Sequence, residues 1–391
     1  MDMPQRHARI LQIMQMEDAK RRLDRIGTSI ATAFPEEPEL GVVFACGFQL
    51  LSLQCGLLLE ELKRRWNPYV EVTNRPRTLT NFDDDTLRGC FRFGRVELEE
   101  LMGILEIPIY FKAPGDGRIF EGEESFLLLL RRLAGRETGV QLAKIFDRTP
   151  PAISEMYNVA LDHVYRFASV AMRLELWEDD LLEFSKILQE NGCPLPHCCG
   201  FVDGTMFDIC RPVVAQESMY NGWKRGHKTK YQCVVLPNFL IGDWFGPASG
   251  RTNDSAMLGD SRLIERLTAM VERLGVPLHL YGDSAYPSNA VLKRAPKGNQ
   301  VLPEETALAK QMSKYRESVE WVFGKIGNLW PFITDKTRKQ TGLRATGKED
   351  CVAALLTNFH TCAYGGVANR YFNSRPPSMH AYKSKFTMNP R

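Results

Sequence analysis

Three acidic residues in the second half of the chain have the residue type and the setting that metal-dependent chemistry requires. Asp203 lies in Phe-Val-Asp-Gly-Thr, Asp283 in Leu-Tyr-Gly-Asp-Ser-Ala-Tyr-Pro, and Glu320 in Tyr-Arg-Glu-Ser-Val-Glu-Trp-Val-Phe-Gly. The two aspartates lie on or just after apolar, strand-like runs, and the glutamate lies on a helical pattern. If the fold brings them together, the three carboxylates could hold two divalent cations, the arrangement used for in-line cleavage of a phosphodiester bond.

Each of these acids, taken alone, has an ordinary structural explanation. Asp203 could face solvent at the end of a strand, and Asp283 could be a turn or helix-capping residue. Glu320 could form an exposed pair with Arg316, one helical turn earlier, and such pairs contribute little to stability. Glu317 competes with Glu320 for the same role. The hypothesis therefore depends on all three acids together, with Arg316 as an accessory residue that neutralises carboxylates or contacts phosphate.

The segments around these acids predict an α/β domain over 195–363. Apolar runs of strand length are separated by turn residues and are followed by longer segments with helical periodicity. Asp283 would lie where a central strand ends, which is where open α/β sheets bind ligands. The predicted strands cover 200–211, 227–236, 239–245 and 278–281, and the predicted helices cover 255–274, 312–330 and 349–364.

The part of the chain before this domain predicts helices only. Residues 1–80 form a helical arm, and a polar stretch with prolines separates it from a helical domain over 81–170. Within that domain, a short helix over 139–146, a turn, and a helix capped by Thr149 and begun by Pro150 make a helix-turn-helix candidate. A plain helical bundle is an equal alternative, because the outward positions of the last helix are not basic.

The apolar segment 40–59 approaches the length of a membrane-spanning helix. Polar residues interrupt it, and a charged stretch follows from Glu60 onward. We therefore expect a buried helix and no membrane partner.

Composition limits the other kinds of site. The chain has 391 residues, a net charge of +3 and ten cysteines without a regular framework, which favours reduced thiols inside a cell. Cys193, His197, Cys198 and Cys199 cluster, but they lack a second Cys-x-x-Cys pair, so a zinc site is disfavoured.

Basic residues are concentrated where a polyanion could bind. The segment 293–348 has 12 basic and 5 acidic residues, and the tail 364–391 has five basic residues and no acidic ones. The tail could add affinity for DNA or could be disordered. Basic and aromatic residues also follow the first strand, which suits phosphate contacts and base stacking, with scattered surface lysines as the alternative. The predicted DNA-binding residues are Arg211, Trp223, Lys224, Arg225, Lys228 and Lys230.

The motifs around the three acids resemble those of the PIF/Harbinger transposases and of the nucleases derived from them. The resemblance spans about 201–360 and implies an RNase H-like catalytic core with Asp203, Asp283 and Glu320 as its Asp-Asp-Glu triad. Met206 departs from the pattern, because many relatives have histidine there. The matching stretches are Val-Asp-Gly-Thr (202–205), Lys-Tyr-Gln (230–232), Gly-Asp-Ser-Ala-Tyr-Pro (282–287) and Arg-Glu-Ser-Val-Glu-Trp-Val-Phe-Gly (316–324).

The same resemblance implies that the triad binds metal. Hard oxygen donors favour two ions of Mg²⁺ or Mn²⁺ over zinc. The stretch 250–258 resembles a further acidic motif of the family, which makes Asp254 an accessory residue. We expect Asp254 to cap the helix that begins near Ser255, or to support the metal ligands, rather than to bind metal itself.

These features together predict a metal-dependent DNA endonuclease or transposase. The resemblance implies a nuclear location, with the cytoplasm as a second possibility, and a separate Myb-like protein as an accessory partner. Self-association into a homo-oligomer stays open. One alternative is a domesticated, non-catalytic DNA- or chromatin-binding protein that kept the scaffold. A phosphohydrolase acting on small substrates is another, but it gives no reason for the basic and aromatic residues.

Overall fold

The computed structural model describes residues 3–30, 38–65, 76–114, 117–296, 302–366 and 371–387. The chain divides into two compact units. One unit consists of Met1–Arg77 with Pro108–Gly122, and the other of Thr78–Ile107 with Glu123–Arg391. All of the predicted site residues lie in the second unit.

The first unit is built on two long helices, α1 (Met3–Ile30) and α2 (Pro38–Arg65). They pack on each other, and the Ser52 hydroxyl of α2 donates a hydrogen bond to the Asp24 carboxylate of α1. A short antiparallel hairpin of β1 (Tyr110–Lys112) and β2 (Ile119–Glu121) belongs to the same unit.

Helix α2 corrects the expectation of a buried helix over 40–59. The window Val42–Leu59 is long and apolar enough to cross a membrane by length and composition, but only 11% of it is buried. Large apolar side chains such as Val43, Leu50 and Leu57 are exposed. Hydropathy shows that burial of a helix would be favourable, but it does not say what covers that helix. That the chain has no membrane partner stays a prediction.

The second unit begins with six helices. Among them, α6 (Gly139–Phe146) and α7 (Pro150–Ala171) form the two helices of the predicted helix-turn-helix, with Asp147 in the left-handed region at the end of α6. The inner face of α7 is buried and includes Ile153, Met156 and Tyr157. DNA reading by this element stays a prediction. The helices are α3 (Asp84–Phe91), α4 (Arg95–Ile104), α5 (Gly122–Ala134), α6 (Gly139–Phe146), α7 (Pro150–Ala171) and α8 (Leu181–Glu190).

A mixed sheet follows, and β3 lies at its centre. Strands β3, β5 and β6 are antiparallel neighbours, whereas β7 and β8 add to the other side of β3 in parallel. The full order is β4-β5-β3-β7-β8, with β6 paired to β5. The strands are β3 (Cys198–Asp208), β4 (Tyr220–Asn221), β5 (Gly226–Val235), β6 (Ile241–Ser249), β7 (His279–Gly282) and β8 (Leu292–Arg294).

Helices flank this sheet, which confirms a mixed α/β architecture; its RNase H-like character stays a prediction. Helix α14 is buried along most of its length and contacts α7, β6 and α12. The remaining helices are α9 (Gln216–Met219), α10 (Asp254–Ser261), α11 (Leu263–Leu274), α12 (Pro303–Leu329), α13 (Pro331–Thr334), α14 (Thr346–Tyr364) and α15 (Met379–Thr387).

A fully buried ion pair ties α14 to the sheet. The Lys339 ammonium donates to both oxygens of Asp350, and neither side chain is exposed. The Tyr231 hydroxyl of β5 donates to Asp350 Oδ2 at 2.6 Å. Since a buried charge is tolerated only when it is paired and hydrogen-bonded, this closed set of partners is structural.

Several element boundaries differ from the sequence prediction. The helix expected over 255–274 is two helices, because Arg262 adopts a left-handed conformation with φ of 52°. Helix α12 begins at Pro303 rather than 312. Strand β8 has only three residues, which is too short for a periodicity signal. The basic tail is folded over 371–387, where Phe372 and Tyr382 are buried, so disorder is wrong for that stretch.

Candidate active site

Asp203 lies on the central strand of the mixed sheet. Its strand is apolar and buried up to Val202, and Asp203 is the first acidic residue on it. The carboxylate is 16% exposed. Its Oδ1 accepts a hydrogen bond from the Gly204 amide at 2.8 Å. The sheet therefore holds a largely desolvated carboxylate at one fixed position.

Asp283 is brought next to Asp203 by strand register. In the parallel pairing of β3 with β7, Val202 is opposite Gly282, so the two aspartates directly follow paired residues. Neighbouring strands are about 4.8 Å apart. Asp283 begins a tight turn in which its Oδ1 accepts a hydrogen bond from the Ala285 amide at 2.9 Å.

Helix α12 supplies Glu320, and Arg316 connects this glutamate to the sheet. The Arg316 guanidinium donates to Asp203 Oδ2 and, at 3.3 Å, to Glu320 Oε1. Val319 and Val322 are buried and fix the orientation of the helix. The Glu320 side chain remains 59% exposed. Arg316 therefore joins two acids that lie far apart in the chain, and strand register places Asp283 beside one of them, Asp203.

Burial makes Asp203 an unusual carboxylic acid. The pKa of Asp203 is raised to about 6, chiefly by desolvation and also by the charges of Asp283 and Asp254, against the opposing effects of Arg316 and the Gly204 amide. A raised carboxyl pKa from burial and like charges is typical of functional sites. Negative charge is thus in excess around Asp203 in the absence of added cations.

Asp254 belongs to the same neighbourhood, but it does not cap a helix. Asn253 is the N-cap of α10, because its side chain accepts a hydrogen bond from the Ala256 amide. Asp254 instead pairs with Lys230, at 2.9 Å between Nζ and Oδ1. A Cβ atom at position 204 would lie 2.7 Å from Asp254 Oδ1, so Gly204 allows this close approach. The part of the expectation that assigned a cap is wrong.

We refer to Asp203, Asp254, Asp283 and Glu320 as the acid site. Its donors are all carboxylate oxygens, the ligand type that Mg²⁺ and Mn²⁺ prefer. Within the described ranges, however, no group of three or more His, Cys, Asp or Glu residues has the spacing to hold an ion. The Arg316 guanidinium lies between two of the carboxylates instead. The donor set fits a divalent cation in kind, provided that Arg316 moves aside.

The cysteine cluster has the surroundings of structural thiols. Cys198 and Cys199 are fully buried, and Cys199 donates to the His279 carbonyl at 3.4 Å. Burial raises the pKa of the Cys199 thiol to about 12. A buried, protonated thiol is a poor metal ligand, and the absence of zinc stays a prediction.

The residues predicted to bind DNA fall into two groups. Lys228 and Lys230 are buried and form ion pairs with Asp208 and Asp254, so carboxylates of the protein already neutralise their charges. The others lie on the surface, between β3 and β5, and Trp223 is 88% exposed. The exposed members are Arg211, Trp223, Lys224 and Arg225. These four are accessible to a ligand, although Arg211 donates a hydrogen bond to Gln216 Oε1 at 2.8 Å, and DNA binding by any member stays a prediction.

Sequence reasoning missed Tyr286, the residue three positions after Asp283. It is 2% exposed, and the charges of Asp254, Asp203 and Asp283 all act on its hydroxyl. The motif that contains Asp283 also contains this tyrosine. A tight turn after a strand end brings such a residue back toward the strand, and that signal could have identified it.

No curated protein and no solved structure matches the chain. The matching region begins within β3 and ends within α14, and it includes every residue of the acid site. Residues 202–358 match the family described as DDE superfamily endonuclease, which indicates an endonuclease of the nuclease and transposase class.

Proposed function

We propose that this protein is a metal-dependent DNA endonuclease of the transposase type, with Asp203, Asp283 and Glu320 as its catalytic acids. The observation that carries the proposal is that Arg316 pairs with both Asp203 and Glu320, while strand register places Asp283 beside Asp203, all within the matched region. Two carboxylates share the Arg316 guanidinium, and the charges of Asp283 and Asp254 act on one of them, Asp203. Excess negative charge at a partly open position is what a cation site requires.

Endonuclease domains of this family use divalent metals. In this chain Asp203 and Asp283 would hold the ions, with Glu320 completing the second position, and the ions would be Mg²⁺ or Mn²⁺. When bound, two divalent ions supply an activated nucleophile and stabilise the leaving oxygen of the phosphodiester.

The protein's own side chains prepare this chemistry. The Gly204 amide orients the Asp203 carboxylate, and the Ala285 amide orients that of Asp283. Lys230 holds Asp254 beside them. Arg316 keeps Asp203 and Glu320 paired until substrate arrives, and a DNA phosphate then competes for its guanidinium. Substrate binding would thereby free two carboxylates for metal.

The exposed surface formed by Arg211, Trp223, Lys224 and Arg225 suits the DNA substrate. Arginine and lysine neutralise phosphates, and an exposed indole ring can stack on a base. We place the protein within the PIF/Harbinger type with an RNase H-like core, acting in the nucleus with a Myb-like accessory protein. The motifs in the sequence support that finer assignment.

A second candidate function is supported by one specific observation. Among the described residues the carboxylates are not spaced to hold an ion, and Arg316 occupies the position between two of them. A domesticated, non-catalytic DNA-binding protein would have this arrangement permanently. Saturable binding of Mn²⁺ in the presence of uncleavable duplex DNA distinguishes the two functions, since only the nuclease requires it.

The test of the proposal is nicking of supercoiled plasmid DNA with Mn²⁺, with EDTA as the metal-free control. Asp283→Ala should reduce nicking by about a thousandfold or more, because several kcal/mol of transition-state stabilisation is lost. Glu320→Ala should do the same, whereas Glu317→Ala, exposed on the same helix, should retain activity. Full activity in Asp283→Ala would overturn the assignment.

A further inference from the structure

Strand β8 places two cations beside the acid site. It is the edge strand of the mixed sheet, carries Lys293 and Arg294, and pairs with β7 in parallel. In that register Arg294 is opposite Gly282, the residue that directly precedes Asp283. Neighbouring strands are about 4.8 Å apart. The sheet itself therefore puts β8 next to the strand end that carries Asp283.

Neither cation has a carboxylate partner among the described residues. The Lys293 ammonium donates to the Asn289 carbonyl at 2.9 Å, and the Arg294 guanidinium donates to the Ala295 carbonyl at 3.1 Å. Both acceptors are backbone oxygens without a formal charge. By contrast, Lys339, from the same basic segment of the sequence, is paired with an acid. The part of the chain that the structure describes thus leaves the two charges on β8 without an opposite charge.

The two cations line a cavity of about 470 Å³ between β8 and the first turns of α12. Both side chains are half-buried, and Tyr281 and Pro296 are part of the wall. Glu305 of α12 also lines the cavity, and its carboxylate accepts a hydrogen bond from the Leu302 amide at 3.3 Å. Two cations against one acid leave one positive charge in excess (2 − 1 = 1). The cavity therefore suits an anionic group.

Helix α12 sets the distance between this cavity and the acid site. Ala309 lines the cavity, and Arg316, seven residues later (316 − 309 = 7), pairs with Asp203. At a rise of 1.5 Å per residue, the two positions are about 10 Å apart along the helix. Phosphates of one DNA strand follow one another at about 3.4 Å along the duplex axis, so this span covers about three nucleotides. A strand bound at the acid site can therefore reach the cavity.

We propose that Lys293 and Arg294 hold a backbone phosphate of the DNA substrate, a few nucleotides from the bond that the acid site cleaves. This inference rests on the proposed function for the identity of its ligand, but it requires no bound metal. A phosphodiester supplies the negative charge that the cavity lacks, and its oxygens accept hydrogen bonds from an ammonium and a guanidinium. A phosphate contact fixes the position of the strand and carries no sequence information.

The test measures binding of labelled duplex DNA by fluorescence anisotropy at several salt concentrations, with EDTA present. The double variant Lys293→Gln/Arg294→Gln should weaken binding about tenfold and reduce the slope of log affinity against log salt by about one, because one phosphate contact is lost. The matched control is Arg22→Gln/Arg273→Gln, which removes two exposed cations that are paired with acids. It changes the net charge equally and should leave the slope unchanged.

A second variant separates the loss of charge from damage to the edge of the sheet. Lys293→Arg/Arg294→Lys exchanges the two side chains and keeps both charges, so it should bind DNA with the slope of the wild type. If the exchange variant loses as much slope as the glutamine variant, the integrity of β8 and not its charge supports binding, and the proposed contact is wrong.

The inference and the proposed function fail in different ways. If the wild type binds and nicks DNA, but the glutamine variant keeps the wild-type slope, only the phosphate contact is overturned. If the slope falls as expected and the wild type never nicks plasmid DNA with Mn²⁺, the nuclease is overturned and the contact stands. A wild type that does not bind DNA overturns both. Saturable binding of inorganic phosphate with an unchanged DNA slope would assign the cavity to a free anion and refute the contact with DNA.

Discussion

Two buried aspartates in this protein have opposite surroundings. Asp350 is fully buried and has one ammonium and one phenol as partners, contributed by Lys339 and Tyr231. Asp203 has a guanidinium that it shares with Glu320, and further carboxylates beside it. Burial raises the pKa of both acids. The difference between them is whether the partners inside the protein complete the charge balance.

The balance of charge differs between the surroundings of Asp350 and the acid site. Around Asp350 one carboxylate faces one ammonium, and the set is closed. The acid site has four carboxylates against two cations, which leaves two negative charges in excess (4 − 2 = 2). The two tyrosines repeat the contrast, because the Tyr231 hydroxyl has a partner and the Tyr286 hydroxyl has none within the described chain. This excess of negative charge is the feature on which the proposed cation site rests.

The largest expected effect comes from breaking the buried ion pair between Lys339 and Asp350. Lys339→Met leaves Asp350 buried without its cation and should lower the free energy of unfolding by about 3–5 kcal/mol. Urea denaturation measures it. The double variant Lys339→Met/Asp350→Leu should recover most of the loss, because it removes both charges. A Lys339→Met variant as stable as the wild type would refute the structural role of this pair.

Removing a charge from the acid site should stabilise the folded protein, whereas removing the Lys339 charge should destabilise it. Asp203→Asn should raise the free energy of unfolding of the metal-free protein at pH 8 by roughly 2–3 kcal/mol. The folded-state pKa of about 6 lies above the usual value of 3.8, so this residue favours folding only while it is protonated. That contribution is complete below about pH 4 and is lost as the pH rises through 6.

Urea denaturation with EDTA at pH 4 and at pH 8 measures this difference. The advantage of Asp203→Asn should vanish at pH 4, where the wild-type carboxyl is also neutral. Nicking activity should be absent in the variant at either pH. A variant that is less stable than the wild type at pH 8 would show that the acid site is as well balanced as the Asp350 pair.

A smaller effect is expected when an exposed cation is compared with a cation that is paired inside the protein. Arg225 is exposed and Lys228 is paired with Asp208. Arg225→Gln should weaken DNA binding about fivefold and reduce the slope of log affinity against log salt by about one. Lys228→Gln should leave that slope unchanged. Fluorescence anisotropy with labelled duplex DNA at several salt concentrations measures both, and equal slopes for wild type and Arg225→Gln would contradict the predicted surface.

The sequence by itself determined the local features of this protein. The apolar runs of β3, β5 and β7 and the periodicity of α14 identified a mixed α/β domain, since side-chain burial imposes a period of two on strands and 3.6 on helices. Three acids in distinct motifs predicted the kind of chemistry, and that prediction awaits the nicking assay. Short elements such as β8 gave no such pattern.

The tertiary structure decided which residues meet. The parallel register of Val202 with Gly282 brings Asp203 beside Asp283, and the long helix α12 places Arg316 between Asp203 and Glu320. It also paired Lys228 and Lys230 with carboxylates of the protein and placed the Tyr286 ring against Gly282, next to Asp283. These outcomes depend on contacts between residues distant in the chain, and a pattern read along one segment contains no information about its partner in space.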